Sequence, residues 1–252
     1  MSYSVLRAGD RFHTTTDWLS SSHSFSFGDH YDPENTHHGV LLVNNDETLR
    51  PGQGFDTHPH RETEIITWVR SGSLVHQDSR GHSGVVYPGL AQRMSAGTGV
   101  EHSERNDTWT SSDGLRVEGA GTVDVSYVQM WVLPDEFGLD PGYDQADVSA
   151  DLATGGLIPI ASGDPAVDAA IRIRNRSATL WTARLDKGQR VRLPASRFTH
   201  IFVTEGAMRF DDETLFVGDA VRGADLGGCA LVGESDGPAE ALVWVMGTSL
   251  GE

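Results

Sequence analysis

The chain has 252 residues, enough for one large β domain or two of ordinary size, and its 38% hydrophobic residues can fill a core. A formal net charge of −17 with no basic run argues against a nucleic-acid partner and an anionic membrane surface, since both are bound through clustered Lys and Arg. No stretch approaches the roughly 20 apolar residues of a membrane span, residues 1–7 lack a signal-peptide layout, and the single Cys229 cannot close an internal disulfide, so the cytoplasm is the expected compartment.

Along the chain, short β-branched or aromatic runs are bounded by Gly, Asp, Pro and Ser. Residues 39–43, 65–70, 73–78, 127–132, 180–184, 200–203 and 241–245 read as strands, with a turn at Ser71-Gly72. No long amphipathic pattern stands out, and 164–169 is expected as a short helix. Residues 134–167 are rich in Asp and Gly and read as a connector, with strand-like patterning resuming near Ile171. The division expected is an N-terminal domain over 1–134, then a connector and C-terminal domain over 135–252. Many short strands with frequent turns predict an all-β sandwich or jelly roll. The halves also echo one another: 68–74 resembles 202–208, and 87–93 resembles 217–222. On that register His58 and His60 fall opposite Arg192 and Pro194, and His102 and Glu104 opposite Leu231 and Gly233, so the second half lacks the candidate ligands.

Ten of the eleven histidines lie between His13 and His102. Within that span, His58-Pro59-His60 and His102-Ser103-Glu104 each place two polar side chains at i and i+2, on one face of an extended strand. Two such strands facing each other bring three imidazoles and a carboxylate to one point. Nitrogen and oxygen donors without thiolate suit Fe(II), Mn, Co, Ni, Cu or Zn.

The N-terminal half resembles the cupin superfamily. Gly52, His58, His60, Glu64 and Gly72 match its first motif, with Gly72 one residue late; residues 97–106 match its second, with Gly97 in place of the usual proline. Within the superfamily the chain is similar to the pirin family, closest to bacterial pirin-like quercetin 2,3-dioxygenases. The resemblance is carried by His58-Pro59-His60-Arg61, residues 75–82, Pro88-Gly89, residues 94–104 and the N-terminal run 23–33. It implies a bicupin of two jelly-roll barrels, with one divalent metal, Fe(II) favoured, held in the first barrel by His58, His60, His102 and Glu104. Glu64, a ligand in many other cupins, is then assigned to the surroundings of the metal or the pocket wall.

The implied activity is ring-opening oxygenation of a flavonol such as quercetin by dioxygen, releasing carbon monoxide and leaving a depside, with Glu104 as general base. Phe55, Met130 and Trp131 are candidates for the pocket wall. The alternative is a metal-bearing, redox-responsive regulator acting through a protein partner; a Lewis-acid isomerase or hydrolase ranks behind both. A monomer is expected. Of the other histidines, His76 and His82 read as exposed turn residues, His23, His30, His37 and His38 as structural or pocket-mouth groups, and His200 as structural. Cys229 reads as a small buried hydrophobe.

Overall fold

The computed structural model describes residues 2–110 and 120–251, and nearly all regular structure among them is β. In the first half the strands are β1 (Ser2–Leu6), β2 (Phe12–Thr15), β3 (Leu19–His23), β4 (Leu41–Leu49), β5 (Gly54–His60), β6 (Glu64–Ser71), β7 (Leu74–Asp78), β8 (Ser83–Val86), β9 (Leu90–Ser95), β10 (Val100–Arg105), β11 (Val125–Val132) and β12 (Gly142–Asp147). After the one-turn helix α1 (Ser149–Leu152) come β13 (Gly156–Ser162), β14 (Ile171–Arg172), β15 (Ala178–Leu185), β16 (Arg190–Arg192), β17 (Phe198–Glu205), β18 (Ala207–Phe210), β19 (Glu213–Phe216), β20 (Ala220–Ala224), β21 (Ala230–Gly233) and β22 (Ala239–Met246).

These strands form two jelly-roll barrels in tandem, each a seven-stranded sheet facing a four-stranded one. The large sheets run β12-β9-β6-β11-β4-β3-β2 and β1-β20-β17-β22-β15-β13-β14; the small ones run β5-β10-β7-β8 and β16-β21-β18-β19. Position by position the two halves correspond, which is the bicupin architecture that the internal echo predicts. One pairing differs in sense: β2 meets β3 antiparallel, whereas β13 meets β14 parallel.

Two edge strands lie outside the expected bounds of the barrel they close. β1 pairs with β20, Ser2 opposite Ala224, and closes the edge of the second large sheet. β12 closes the matching edge of the first by pairing with β9. The stretch 134–167, which composition marks as a connector, therefore carries β12, α1 and β13, while 164–169 forms turns rather than a helix. Pairing partners far away in sequence, rather than local propensity, make these residues strands.

The large sheets pack against each other through their outer faces. Ile66, Trp68, Val128, Met130 and Val132 of the first meet Leu180, Phe202, Leu242 and Trp244 of the second in one buried cluster. Polar pins cross the seam: the Trp68 indole N–H donates to Glu240 Oε1 at 2.9 Å, and the Trp244 indole to Met130 Sδ at 3.2 Å. Because side chains alternate along a strand, the residues between these face the inside of the first barrel. They are Ile65, Thr67 and Val69 on β6, and Tyr127, Gln129 and Trp131 on β11. The second barrel's interior is closed by apolar packing that includes Leu193, Ile201, Val203, Met208, Phe210 and Leu231.

Gly97 takes φ +48°, and a Cβ there would lie 2.2 Å from the Leu139 carbonyl oxygen. Proline, fixed near −65°, cannot adopt this backbone, which explains the departure from the cupin motif. Gly97→Ala is expected to lower stability by roughly 2 kcal/mol or more through combined φ strain and backbone clash. Urea unfolding midpoints read this, and an unchanged midpoint would contradict the close approach.

Candidate metal centre

β5 and β10 lie side by side in the small sheet of the first barrel, with His58 directly opposite His102 and His60 opposite Val100. A register shift between His102 and Glu104 absorbs an extra residue of β5 and sets Glu104 opposite Phe55. Alternation along β10 turns Val100, His102 and Glu104 inward and leaves Glu101 in solvent. His58, His60 and His102 each offer a ring nitrogen, and the three atoms lie within 4.8 Å of one another. Their ring centroids are 4.6–4.8 Å apart. His58 and His60 are half-buried at the barrel mouth, and His102 is buried beneath them.

The Glu104 carboxylate, also buried, lies 4.0 Å from His102 Nε2. It is held by an amide that no motif in the sequence marks. Gln129 Nε2 donates to both Glu104 oxygens, at 2.9 and 2.7 Å, while the Trp131 indole N–H donates to Gln129 Oε1 at 3.0 Å. Trp131 in turn meets the His60 ring edge-on, at 4.9 Å between centroids. Burial, reinforced by neighbouring imidazoles, lowers His60 to about 4 and His102 to about 3. Neutral rings keep a lone pair for a cation.

Several expectations need correction. Met130 faces the second barrel, so only Phe55 and Trp131 of the three pocket-wall candidates stand beside the imidazoles. Glu64 also faces the seam, where it accepts from Ser95 Oγ at 2.8 Å and the Arg174 backbone N–H at 3.1 Å; burial raises its pKa. It is an inter-barrel staple rather than a lining group. His76 is not an exposed turn residue. It is buried, 1% accessible, with its Nδ1 3.4 Å from His102 Nδ1 and burial lowering its pKa. The alternation Leu74, His76, Asp78 along β7 was the available signal, because Leu74 belongs to the core. Cys229 is half-buried against the second barrel's core. His200 is fully buried beside Phe25, and burial holds its pKa well below the usual imidazole range.

An aromatic cavity of about 340 Å³ adjoins the candidate ligands through Phe55 and is lined by residues that include Phe12, His23, Phe27 and Glu47, while His60 lines a separate cavity of about 410 Å³ with Pro59, Arg61 and Val100. Phe55 stands 6.1 Å from the His58 ring and Phe27 5.7 Å from Trp131. His23 is fixed by Asn45 Oδ1 at 3.0 Å and Thr14 Oγ1 at 2.9 Å. His38 instead contacts the Gly223 carbonyl at 3.3 Å, in the second barrel. Glu47, fully buried, accepts from Tyr127 at 2.6 Å and Ser21 at 3.0 Å. Burial, with the nearby Glu104 charge, pushes it up to about 7.

A β-barrel with imidazoles and a carboxylate gathered at its mouth defines a cupin-type site. A family profile described as Pirin matches residues 5–132, and a Mycobacterium bovis protein bearing the provisional name quercetin 2,3-dioxygenase is 51% identical over 249 residues, covering 98% of this chain and 96% of its own. The chain belongs to the pirin family. It is also 42% identical over 139 residues to the quercetin 2,3-dioxygenase of Escherichia coli, 55% of each chain. The E. coli pirin YhhW, solved in complex with nickel(II), superposes with a TM-score of 0.83 at 30% identity, covering 98% of this chain and 100% of that one. No helix among the described residues is long and apolar enough to cross a membrane.

The Glu47 environment yields a pH prediction. A carboxyl whose folded pKa is raised from 4.5 to about 7 favours folding below the lower value and loses that contribution as pH rises through the upper one. Glu47→Gln should therefore gain stability relative to the parent between about pH 5 and about pH 8, by up to about 3 kcal/mol. Denaturation of metal-free protein at both pH values measures it, and a difference that does not grow with pH counts against a buried protonated carboxyl.

Proposed function

We propose that His58, His60, His102 and Glu104 hold one divalent transition metal, and that the protein is a metal-dependent dioxygenase acting on flavonols such as quercetin. The observation that carries the metal reading is His102 Nε2. It is a buried ring nitrogen without a hydrogen-bond partner, next to two further imidazoles and 4.0 Å from a carboxylate. A buried polar atom without a protein partner is costly unless an ion or a water pairs with it. Three nitrogens and one oxygen suit a first-row divalent ion. Fe(II) is the proposed native metal because the reaction involves dioxygen, and the nickel(II) complex of the E. coli pirin supports a transition-metal site.

When bound, such a metal lowers the proton affinity of a coordinated hydroxyl and orients the reactants. The chain's own groups supply the rest. The flavonol rings enter the aromatic cavity, whose volume lies at the small end of the roughly 300–1,000 Å³ of ligand sites. Phe55 and Trp131 flank the reacting end and exclude water. Glu104 takes the proton of the flavonol 3-hydroxyl, and the Gln129 amide keeps its oxygens aimed at that position.

Two measurements test this. Nickel(II) or anaerobic Fe(II) should raise the unfolding temperature of the parent, by about 2.7 kcal/mol of added stability at a hundredfold excess over Kd, and should leave His102→Ala unshifted. Metal-loaded protein should bleach quercetin only in air. Glu104→Gln, which keeps an oxygen but cannot take the proton, should lose on the order of a hundredfold or more in kcat. No oxygen-dependent loss of flavonol absorbance with any metal rejects the activity. A pull-down with metal-loaded protein then tests the regulatory alternative.

A further inference from the structure

Behind His102, on the side away from the other two imidazoles, runs a row of polar groups that the proposed reaction does not use. His102 Nδ1 is 3.4 Å from His76 Nδ1, and His76 Nε2 is 3.4 Å from Asp78 Oδ2. Asp78 Oδ2 also meets His82 Nδ1 at 2.8 Å, and Asp78 Oδ1 accepts the backbone N–H groups of Arg80 at 2.9 Å and His82 at 3.0 Å. The Tyr143 ring lies against both His76 and His82, with centroids 5.0 and 4.9 Å away. His76 and Asp78 side chains are almost completely buried, so the row is shielded from water until it reaches the partly exposed His82.

The direction of each hydrogen bond follows from what the groups can do. Asp78, receiving two backbone N–H donors and two imidazoles, acts as an acceptor, so His76 Nε2 carries the hydrogen. A neutral imidazole has one N–H, which leaves His76 Nδ1 as an acceptor. His102 must then carry its hydrogen on Nδ1, and its Nε2 is left with a free lone pair. That Nε2 is the buried atom without a protein partner. His58 shows the same logic in shorter form: its Nδ1 contacts the Asp56 carbonyl oxygen at 2.7 Å, which fixes the hydrogen there and frees Nε2.

We infer that His76 and Asp78 are positioning residues that lock His102 as its Nδ1–H tautomer and hold its Nε2 lone pair toward the metal position. The inference rests on the metal reading above, but the tautomer half of it does not. Outer partners of this kind typically contribute 10–100-fold in metal affinity, by fixing the ring and raising its basicity.

The test has a metal-free arm and a metal-bound arm. Long-range proton–nitrogen NMR of the metal-free parent should show His102 protonated on Nδ1 and His76 on Nε2; His102 protonated on Nε2 overturns the assignment. In the second arm, nickel(II) affinity and the visible absorption of the cobalt(II)-loaded protein are compared for the parent, His76→Leu and His76→Gln. Glutamine can accept from His102 and donate to Asp78, whereas leucine can do neither. His76→Leu should bind nickel(II) 10–100-fold more weakly with displaced cobalt bands, and His76→Gln should recover most of the affinity and the parental bands. Parental affinity and bands in a folded His76→Leu protein overturn the positioning role, as does a glutamine variant no better than leucine at equal thermal stability. A parent that binds no nickel(II) while showing the stated tautomers removes the metal reading and leaves the tautomer assignment standing.

Discussion

The structure depends on the apolar seam between the two large sheets. A barrel of this size ordinarily draws its stability from its interior, yet the first barrel fills much of its interior with His76, His102, Glu104, Gln129 and Glu47. Buried polar groups contribute little net stability even when paired, and they cost heavily when unpaired. The compensating burial sits on the other face of the same strands, where Ile66, Trp68, Val128, Met130 and Val132 press against the second barrel. The second barrel, with an apolar interior and none of the four candidate ligands, acts as a buttress for the polar interior of the first.

Within the first barrel the polar groups are arranged in directed chains rather than scattered. Trp131 donates to Gln129, which donates to Glu104; Tyr127 and Ser21 both donate to Glu47. Each chain ends on a carboxylate and fixes where its oxygens lie. The arrangement keeps Glu104 oriented while Glu47, lining the aromatic cavity, is pushed by burial up to about 7 and keeps its proton over a wider pH range than a free carboxyl. Two acidic groups in one barrel interior are thereby separated into an aimed group and a quiet one, which limits their mutual repulsion.

Much of this was legible in the sequence, and the rest was hidden for physical reasons. The His-x-His and His-x-Glu pairs announce themselves because a period of two puts both members on one face. The echo between halves foretells two barrels because the same strand–glycine–strand unit recurs at Gly72 and Gly206. Gln129 is hidden inside the apolar run 127–132, and only the inward partners Tyr127 and Trp131 reveal its face. His76 is hidden by the polar composition of its hairpin, which masks its place on the inward side of β7. Met130, in the same apolar run as Gln129, is one residue out of phase with the inward-facing Gln129 and Trp131 and so faces the seam. Strands β1 and β12 could not be read locally, since their pairing partners lie in distant segments of the chain.

That exchange of edge strands bears on how the chain reaches its final form. Ser2–Leu6 pairs with β20, a strand made more than two hundred residues after it, and has no other sheet neighbour among the described residues. β1 lacks its native partner until β20 has been made, and the second barrel keeps a raw flank until β1 docks. The second barrel is thus closed by a strand laid down ahead of the whole first barrel.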